Sequence, residues 1–314
     1  FMMDRFMNKI GLHGKSVLPL MSGYACAIPG IMATRTIDNW KERLVTILIL
    51  PLMSCSARLP VYTLMISAFI PKQQIMGIFS LQGITMVFMY FLGTGTAMLI
   101  AAIISRFIKD KGSSSFIMEL PPYRIPLTKS IFRQLYIRGK LFVINAGKII
   151  MAISIVLWFL ASFPKSGADG KPATIHQSYA GRIGHVIEPV IEPLGFDWKI
   201  GIGLITSFAA REVVVSTLAT LYNVEGAGDD IIGITQALKN DINPETGSSR
   251  YTPLVALSIM VFYVYAAQCM ATFAIVKNET NSWKWPIYMI IYMTILAYMG
   301  SLAVYQGGKL LGYS

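Results

Sequence analysis

The chain has 314 residues, of which 54% are hydrophobic and only 14% charged, with a mean hydropathy of +0.56 and a formal net charge of +11. A soluble domain carries about 25% charged residues to wet its surface, so this composition excludes one; the apolar excess lies in blocks of roughly 20 residues, the length that crosses about 30 Å of hydrocarbon. The positive charge falls between the blocks and not on one soluble face, which places it in loops beside a membrane and argues against a nucleic-acid partner.

In chain order, the sequence opens at Phe1 and not at Met, so it reads as a fragment or a processed product. The first apolar block, 17–33, is interrupted by Pro19, Gly23, Pro29 and Gly30, which remove a donor or loosen a helix. A charged stretch, 35–43, leads to a second block, 44–70, broken by the polar run from Pro51 to Pro60. The third block, 75–107, carries Gly93-Thr-Gly-Thr, small residues suited to close helix packing. Residues 106–140 hold eight Lys or Arg against two acids, which puts this connection in the cytoplasm. Within it, 129–140 alternates basic and apolar residues as a helix lying on the membrane surface does.

A fourth block, 141–163, then runs from inside to outside, and 164–199 is extracytoplasmic. The fifth block, 200–222, has Arg211-Glu212 near its middle and is followed by an acidic loop, 223–250. Blocks 252–276 and 285–305 finish the chain, with Trp283 and Trp285 as interfacial anchors. Two topologies fit 200–222. A single span leaves the acidic loop in the cytoplasm; a re-entrant element puts that loop and the C-terminus outside. The expectation carried forward is the single span. The fold class expected is all-α, a polytopic transmembrane bundle of about seven hydrophobic segments with broken or re-entrant helices.

The sequence holds few groups suited to site chemistry. Gly14-Lys15-Ser16 is the end of a phosphate-loop pattern, but the glycine required five positions before Gly14 is Lys9 and no strand precedes it, so no bound nucleotide is expected. All three cysteines, Cys26, Cys55 and Cys269, fall at mid-membrane depth, two of them where a helix is disrupted. Broken helices in a bilayer are tolerated when they line a cavity, and soft thiols favour transition metals over sodium, magnesium or calcium. Packing as small apolar residues is the alternative. Glu212 is an ionisable group near the bilayer centre, expected to serve a function or to brace a broken helix. Arg58 invites the same two readings. Eighteen methionines are scattered as packing residues. His13, His176 and His185 sit in expected loops with no nucleophile or metal-ligand spacing around them, so an enzyme is not expected.

Several strings resemble the membrane domain of the ferrous iron transporter B family. They are Ser22-Gly-Tyr-Ala-Cys26-Ala-Ile-Pro-Gly30, Met32-Ala-Thr-Arg-Thr36, Ser54-Cys-Ser-Ala-Arg-Leu-Pro-Val-Tyr62, Ala210-Arg-Glu-Val-Val-Val-Ser216, Cys269-Met-Ala-Thr272 and Ser282-Trp-Lys-Trp285. The resemblance implies uptake of Fe2+ as the transported ion across the bacterial inner membrane, along a path with Cys26, Cys55 and Cys269; Glu212 and Ser54 are further metal-site candidates. It divides the chain into the end of a first gate region (1–37), a connecting membrane segment (38–110), a basic cytoplasmic loop with its interfacial helix (111–140) and a second gate region with terminal helices (141–314). It also implies partners: the lipid bilayer, an N-terminal GTPase domain and helices that this sequence lacks, small cytoplasmic accessory proteins, and a second copy of the chain. Where the family often has proline before the last cysteine, this chain has Gln268, which weakens the expectation of a helix break there. Two alternatives share the fold: a nucleoside-type gate transporter, which has no use for three thiols, and a non-transporting sensor or scaffold.

Overall fold

A computed structural model describes residues 5, 7, 10–12, 14–75, 79–107, 127–163, 178–208, 211, 213–222, 231–241, 249–266 and 269–312. Their regular elements are helices and one two-residue antiparallel ladder, β1 (Gln74–Ile75) with β2 (Phe79–Ser80). Two helical hairpins, two interrupted helices and three long uninterrupted helices make up most of the architecture.

The first hairpin is α1 (Val17–Ala25) and α2 (Ala27–Ala33), separated by Cys26, whose φ of −159° and ψ of 138° are extended. In one continuous helix Pro19 and Gly30 would be about 16 Å apart along the axis. Here a Cβ on Gly30 would stand 3.0 Å from the Pro19 carbonyl oxygen, so α2 turns back along α1. Glycine is required at that crossing.

The first interrupted helix consists of α3 (Trp40–Ile49) and α4 (Leu59–Phe69). Asn39 starts α3 by accepting from the Lys41 amide at 2.9 Å, a standard N-cap contact. Between α3 and α4, 3-10 turns at Leu50–Leu52 and Ser56–Arg58 flank an extended stretch at Met53 and Cys55. The ladder β1–β2 then reverses the chain into α5 (Leu81–Phe107), 27 residues without a break.

Helix α6 (Thr128–Ser162) has 35 residues. The expected surface helix at 129–140 does not end before the fourth apolar block; the two form one rod, because Gly139 and Gly147 interrupt it too weakly to stop a helix. At 1.5 Å per residue the rod is about 52 Å long, more than a bilayer core. α7 (Tyr179–Ile191) follows, capped by Ser178. It contains His185, which therefore lies in a helix and not in a loop, with Nδ1 2.9 Å from Glu188.

The second hairpin corrects the single-span expectation for 200–222. α8 (Trp198–Thr206) and α9 (Val213–Leu221) have nine residues each. Thr217 donates to the Thr206 hydroxyl at 3.0 Å, and Lys199 Nζ lies 4.3 Å from the Tyr222 ring centroid. The block thus starts and finishes at one end of the molecule. Hydropathy cannot register this, since two half-length helices and one full span have the same composition.

After α10 (Ile231–Lys239), the second interrupted helix is α11 (Pro253–Tyr265) and α12 (Met270–Thr280). Thr252 caps α11 and Pro253 pre-sets its first turn. Ala266 and Cys269 are extended, so the chain does break there. α13 (Lys284–Leu310) closes the fold with 27 residues.

The two interrupted helices run antiparallel. Arg43 in the first turn of α3 reaches Glu279 in the last turn of α12 at 2.6 Å; at the other end, Phe69 of α4 faces Tyr251 before α11, ring centroids 6.4 Å apart. Each is preceded by a hairpin and followed by a 27-residue helix, so 17–107 and 198–310 repeat one pattern in opposite directions, an inverted repeat.

Among the described residues, four helical stretches are long and apolar enough to cross a membrane: 40–69, 81–106, 253–280 and 284–310. The two interrupted ones are the most enclosed, 72% and 62% buried against 22% for each of the others. Irregular backbone is therefore wrapped in protein, as a bilayer requires.

Candidate functional site

Each cysteine occupies the extended residue immediately before a helical stretch. Cys26 precedes α2, Cys55 precedes the Ser56–Arg58 turn, and Cys269 precedes α12. All three are partly buried thiols without a disulfide. Two contacts bring the breaks together. Ser56 Oγ donates to the Ala25 carbonyl at 2.8 Å, which ties the residue after Cys55 to the residue before Cys26. Cys26 and Cys269 both pack against Ile28 and Ala271. The second hairpin joins through the Met270 amide, which donates to the Phe208 carbonyl at 3.2 Å. Breaks from both repeats therefore converge at the centre of the bundle.

Glycine at 93 lets α5 close over this region. A Cβ there would lie 2.7 Å from Ser54 Oγ and 3.2 Å from the Leu52 carbonyl; at Gly95, by contrast, a Cβ would meet nothing within 4 Å. Ser54 is fully buried, and its oxygen accepts from Arg58 Nη1 at 3.3 Å. Of the Gly-Thr-Gly-Thr run, only the first glycine is used for close packing.

The polar groups freed by the breaks have specific partners. Arg58 has no exposed surface; it donates to the carbonyls of Leu52 at 3.3 Å and Pro51 at 2.9 Å. Arg211, also buried, donates to the carbonyls of Tyr263 at 3.3 Å and Ala266 at 2.8 Å. Both guanidiniums thus cover the C-terminal ends of the first halves of the interrupted helices, where a helix leaves unpaired oxygens and partial negative charge. Both lie close enough to Cys55 for their charge to act on its sulfur. The Arg58 Nε is buried without a hydrogen-bond partner among the described residues.

Of the residues singled out in the sequence, the structure gathers Cys26, Cys55, Cys269 and Ser54 at these converging breaks. Glu212 and Gln268 lie outside the described residues. Among the described residues no three His, Cys, Asp or Glu side chains are grouped to hold a metal ion together. Among the described residues, the three cysteines sit at three separate breaks. Arg58 acts as a brace, one of its two expected readings. Lys15 of the phosphate-loop-like string pairs with Asp38 at 2.5 Å and Ser16 bonds Thr46 at 3.0 Å, both structural contacts.

Sequence reasoning missed two polar clusters at the opposite ends of the interrupted helices. At one, buried Glu279 is held by Arg35 at 2.7 Å and Arg43 at 2.6 Å. At the other, Tyr251 donates to Asp197 at 3.0 Å, Arg250 pairs with Asp197 at 3.2 Å, and Lys199 pairs with Asp241 at 2.6 Å. The only sequence signal was an unusual density of charge beside apolar blocks.

A family model described as gate, nucleoside recognition, matches residues 1–69 and 143–283. A second, ferrous iron transport protein B C terminus, matches 86–138. The chain is 48% identical over 315 aligned residues to an Fe(2+) transporter FeoB of Leptospira biflexa, covering 100% of the chain and 46% of that protein. It is 37% identical to the Staphylococcus aureus MSSA476 protein of the same name, covering 98% and 43%. To an Fe(2+) transport protein A/Fe(2+) transporter FeoB fusion protein of Porphyromonas gingivalis it is 36% identical, covering 99% and 40%. The chain therefore spans a little under half the length of these relatives. No solved structure matches it.

Proposed function

We propose that this chain, which belongs to the gate family and within it to the Fe(2+) transporter FeoB proteins, forms a permeation unit for Fe2+ uptake across the bacterial inner membrane. The observation that carries the reading is the convergence of interrupted helices from both repeats, with a cysteine at three of the breaks. Fe2+ is a borderline-soft cation that accepts thiolate ligands. Spaced thiols offer it successive partial sites, from which it can leave; a four-ligand cage would trap it. Ser54, and Glu212 from outside the described residues, would complete the polar path.

In the bilayer, the proposal has about seven apolar segments. Helices α3–α4, α5, α11–α12, α13 and the apolar part of α6 cross, and the two hairpins enter from opposite faces. The basic connection 106–140 marks the cytoplasmic face. The first hairpin then opens to the cytoplasm, and the second opens outside together with the C-terminus.

The relatives carry more than half of their length beyond the part matched here. Control by a GTPase domain is assigned to that remainder, and no nucleotide site to this chain. The fusion relative supports an Fe2+ transport protein A-type accessory partner. The gate model's description favours a second reading, nucleoside transport; it predicts binding that nucleosides compete for and that ignores the thiols.

The test is anaerobic Fe2+ binding to the reduced, purified chain, with Mg2+ or a nucleoside as competitor. Saturable binding that resists Mg2+ and is lost when any two of Cys26, Cys55 and Cys269 are changed to Ser supports the iron path. Binding unchanged in all three single variants and their pairs refutes it, and displacement by nucleoside favours the second reading.

A further inference from the structure

We propose that Arg58 and Arg211 set ion specificity, by engaging backbone oxygens at both breaks so that thiols become the favoured donors for the cargo. The inference rests on the reading that the cargo passes the cysteines. Oxygen is the ligand that hard cations need: Mg2+ and Ca2+ are bound by carboxylates, carbonyls and water. In transporters built from broken helices, unwound carbonyls and half-helix C-termini are the usual source of those oxygens.

Here arginine engages part of that source at both interrupted helices. The carbonyls of Pro51, Leu52, Tyr263 and Ala266 all accept from guanidinium nitrogens at 2.8 to 3.3 Å. Each of these oxygens keeps a second lone pair, but a cation using it would sit beside a buried positive charge in a low-dielectric interior. The N-terminal sides of the same two breaks carry Cys55 and Cys269. The division is chemical: arginine lies on carbonyls that could serve a hard cation, and the opposite side of each break carries sulfur. A cation that binds thiolate brings the compensating negative charge into its own ligand shell; one that needs oxygen does not.

The consequence is measurable on the purified, reduced chain. Fe2+ binding to the unaltered protein should be displaced by Cd2+, a thiol-seeking ion, and scarcely affected by a large excess of Mg2+ or Ca2+. In Arg58→Gln and Arg211→Gln, which remove the charge and shorten the side chain so that carbonyls are freed, Mg2+ and Ca2+ should compete about tenfold better or more, the equivalent of one modest ligand gained. The readout is the Mg2+ or Ca2+ affinity relative to the Fe2+ affinity of the same variant, a ratio that loss of structure alone does not raise. Arg58→Lys and Arg211→Lys keep the charge but cannot span two carbonyls, and should fall between. Arginine variants that bind Fe2+ through the cysteines with unaltered Mg2+ and Ca2+ competition overturn the inference. So does displacement of Fe2+ by Mg2+ at comparable concentration in the unaltered protein, a result that needs no variant to fold. Fe2+ binding indifferent to the cysteines refutes the underlying iron path instead.

Discussion

A guanidinium with no exposed surface is costly in a protein interior, and Arg58 is retained there by three acceptors on its own chain, Pro51, Leu52 and Ser54. Hydrogen bonds from a charged donor contribute about 1.5–3 kcal/mol each, so the contacts offset its burial only as a set. The set depends on Gly93, whose missing side chain leaves room for Ser54 and the Leu52 carbonyl. Gly93→Val should therefore displace the Cys55 break, destabilise the protein by about 1–3 kcal/mol as overpacking does, and weaken Fe2+ binding. The same change at Gly95, where the space is open, should leave both unaltered; thermal unfolding in detergent and Fe2+ titration check the pair. The cysteines and Arg58 were legible in the sequence because polar or reactive groups stand out in apolar blocks. Arg211 was visible too, but its partners lie more than 50 residues away on α11. No local pattern points to them.

At the scale of elements, the two hairpins depend on small residues where helices cross and on extended residues where they turn. Interruption of 17–33 and 44–70 was readable from proline and glycine, which act locally. The return of 200–222 was not, since its turn near Ser207 and Arg211 is held by contacts with α11 and α12. The break before Cys269 forms with Gln268 ahead of it, showing that proline is not required there. Accessibility gives a direct check. In a background with the native cysteines replaced by serine, Lys239→Cys and Lys309→Cys should react with a membrane-impermeant thiol reagent added outside. Lys41→Cys, also at an exposed position, should react only from the cytoplasmic side. Labelling of Lys239→Cys from the cytoplasm would restore the single span.

For the whole molecule, the inverted repeat places a charged cluster at each end of the interrupted helices and the thiols between them. Arg35, Arg43 and Glu279 join three elements at the proposed cytoplasmic face; Asp197, Lys199, Asp241, Arg250 and Tyr251 do so at the opposite one. Both clusters are formed at once, so ion pairs tie the elements together at both ends of the interrupted helices. The repeat itself could not be read from the sequence, because what recurs is the order of hairpin, broken helix and long helix, carried by different residues in each half. Composition was sufficient for the class of molecule and the cysteines for the region of interest; the convergence of distant breaks needed coordinates. The most direct test of that convergence is the iron-edge X-ray absorption spectrum of the chain loaded anaerobically with one equivalent of Fe2+. The account predicts sulfur in the first coordination shell, reduced in Cys55→Ser and in Cys26→Ser/Cys269→Ser. A shell of oxygen and nitrogen alone, the same in every variant, would contradict it.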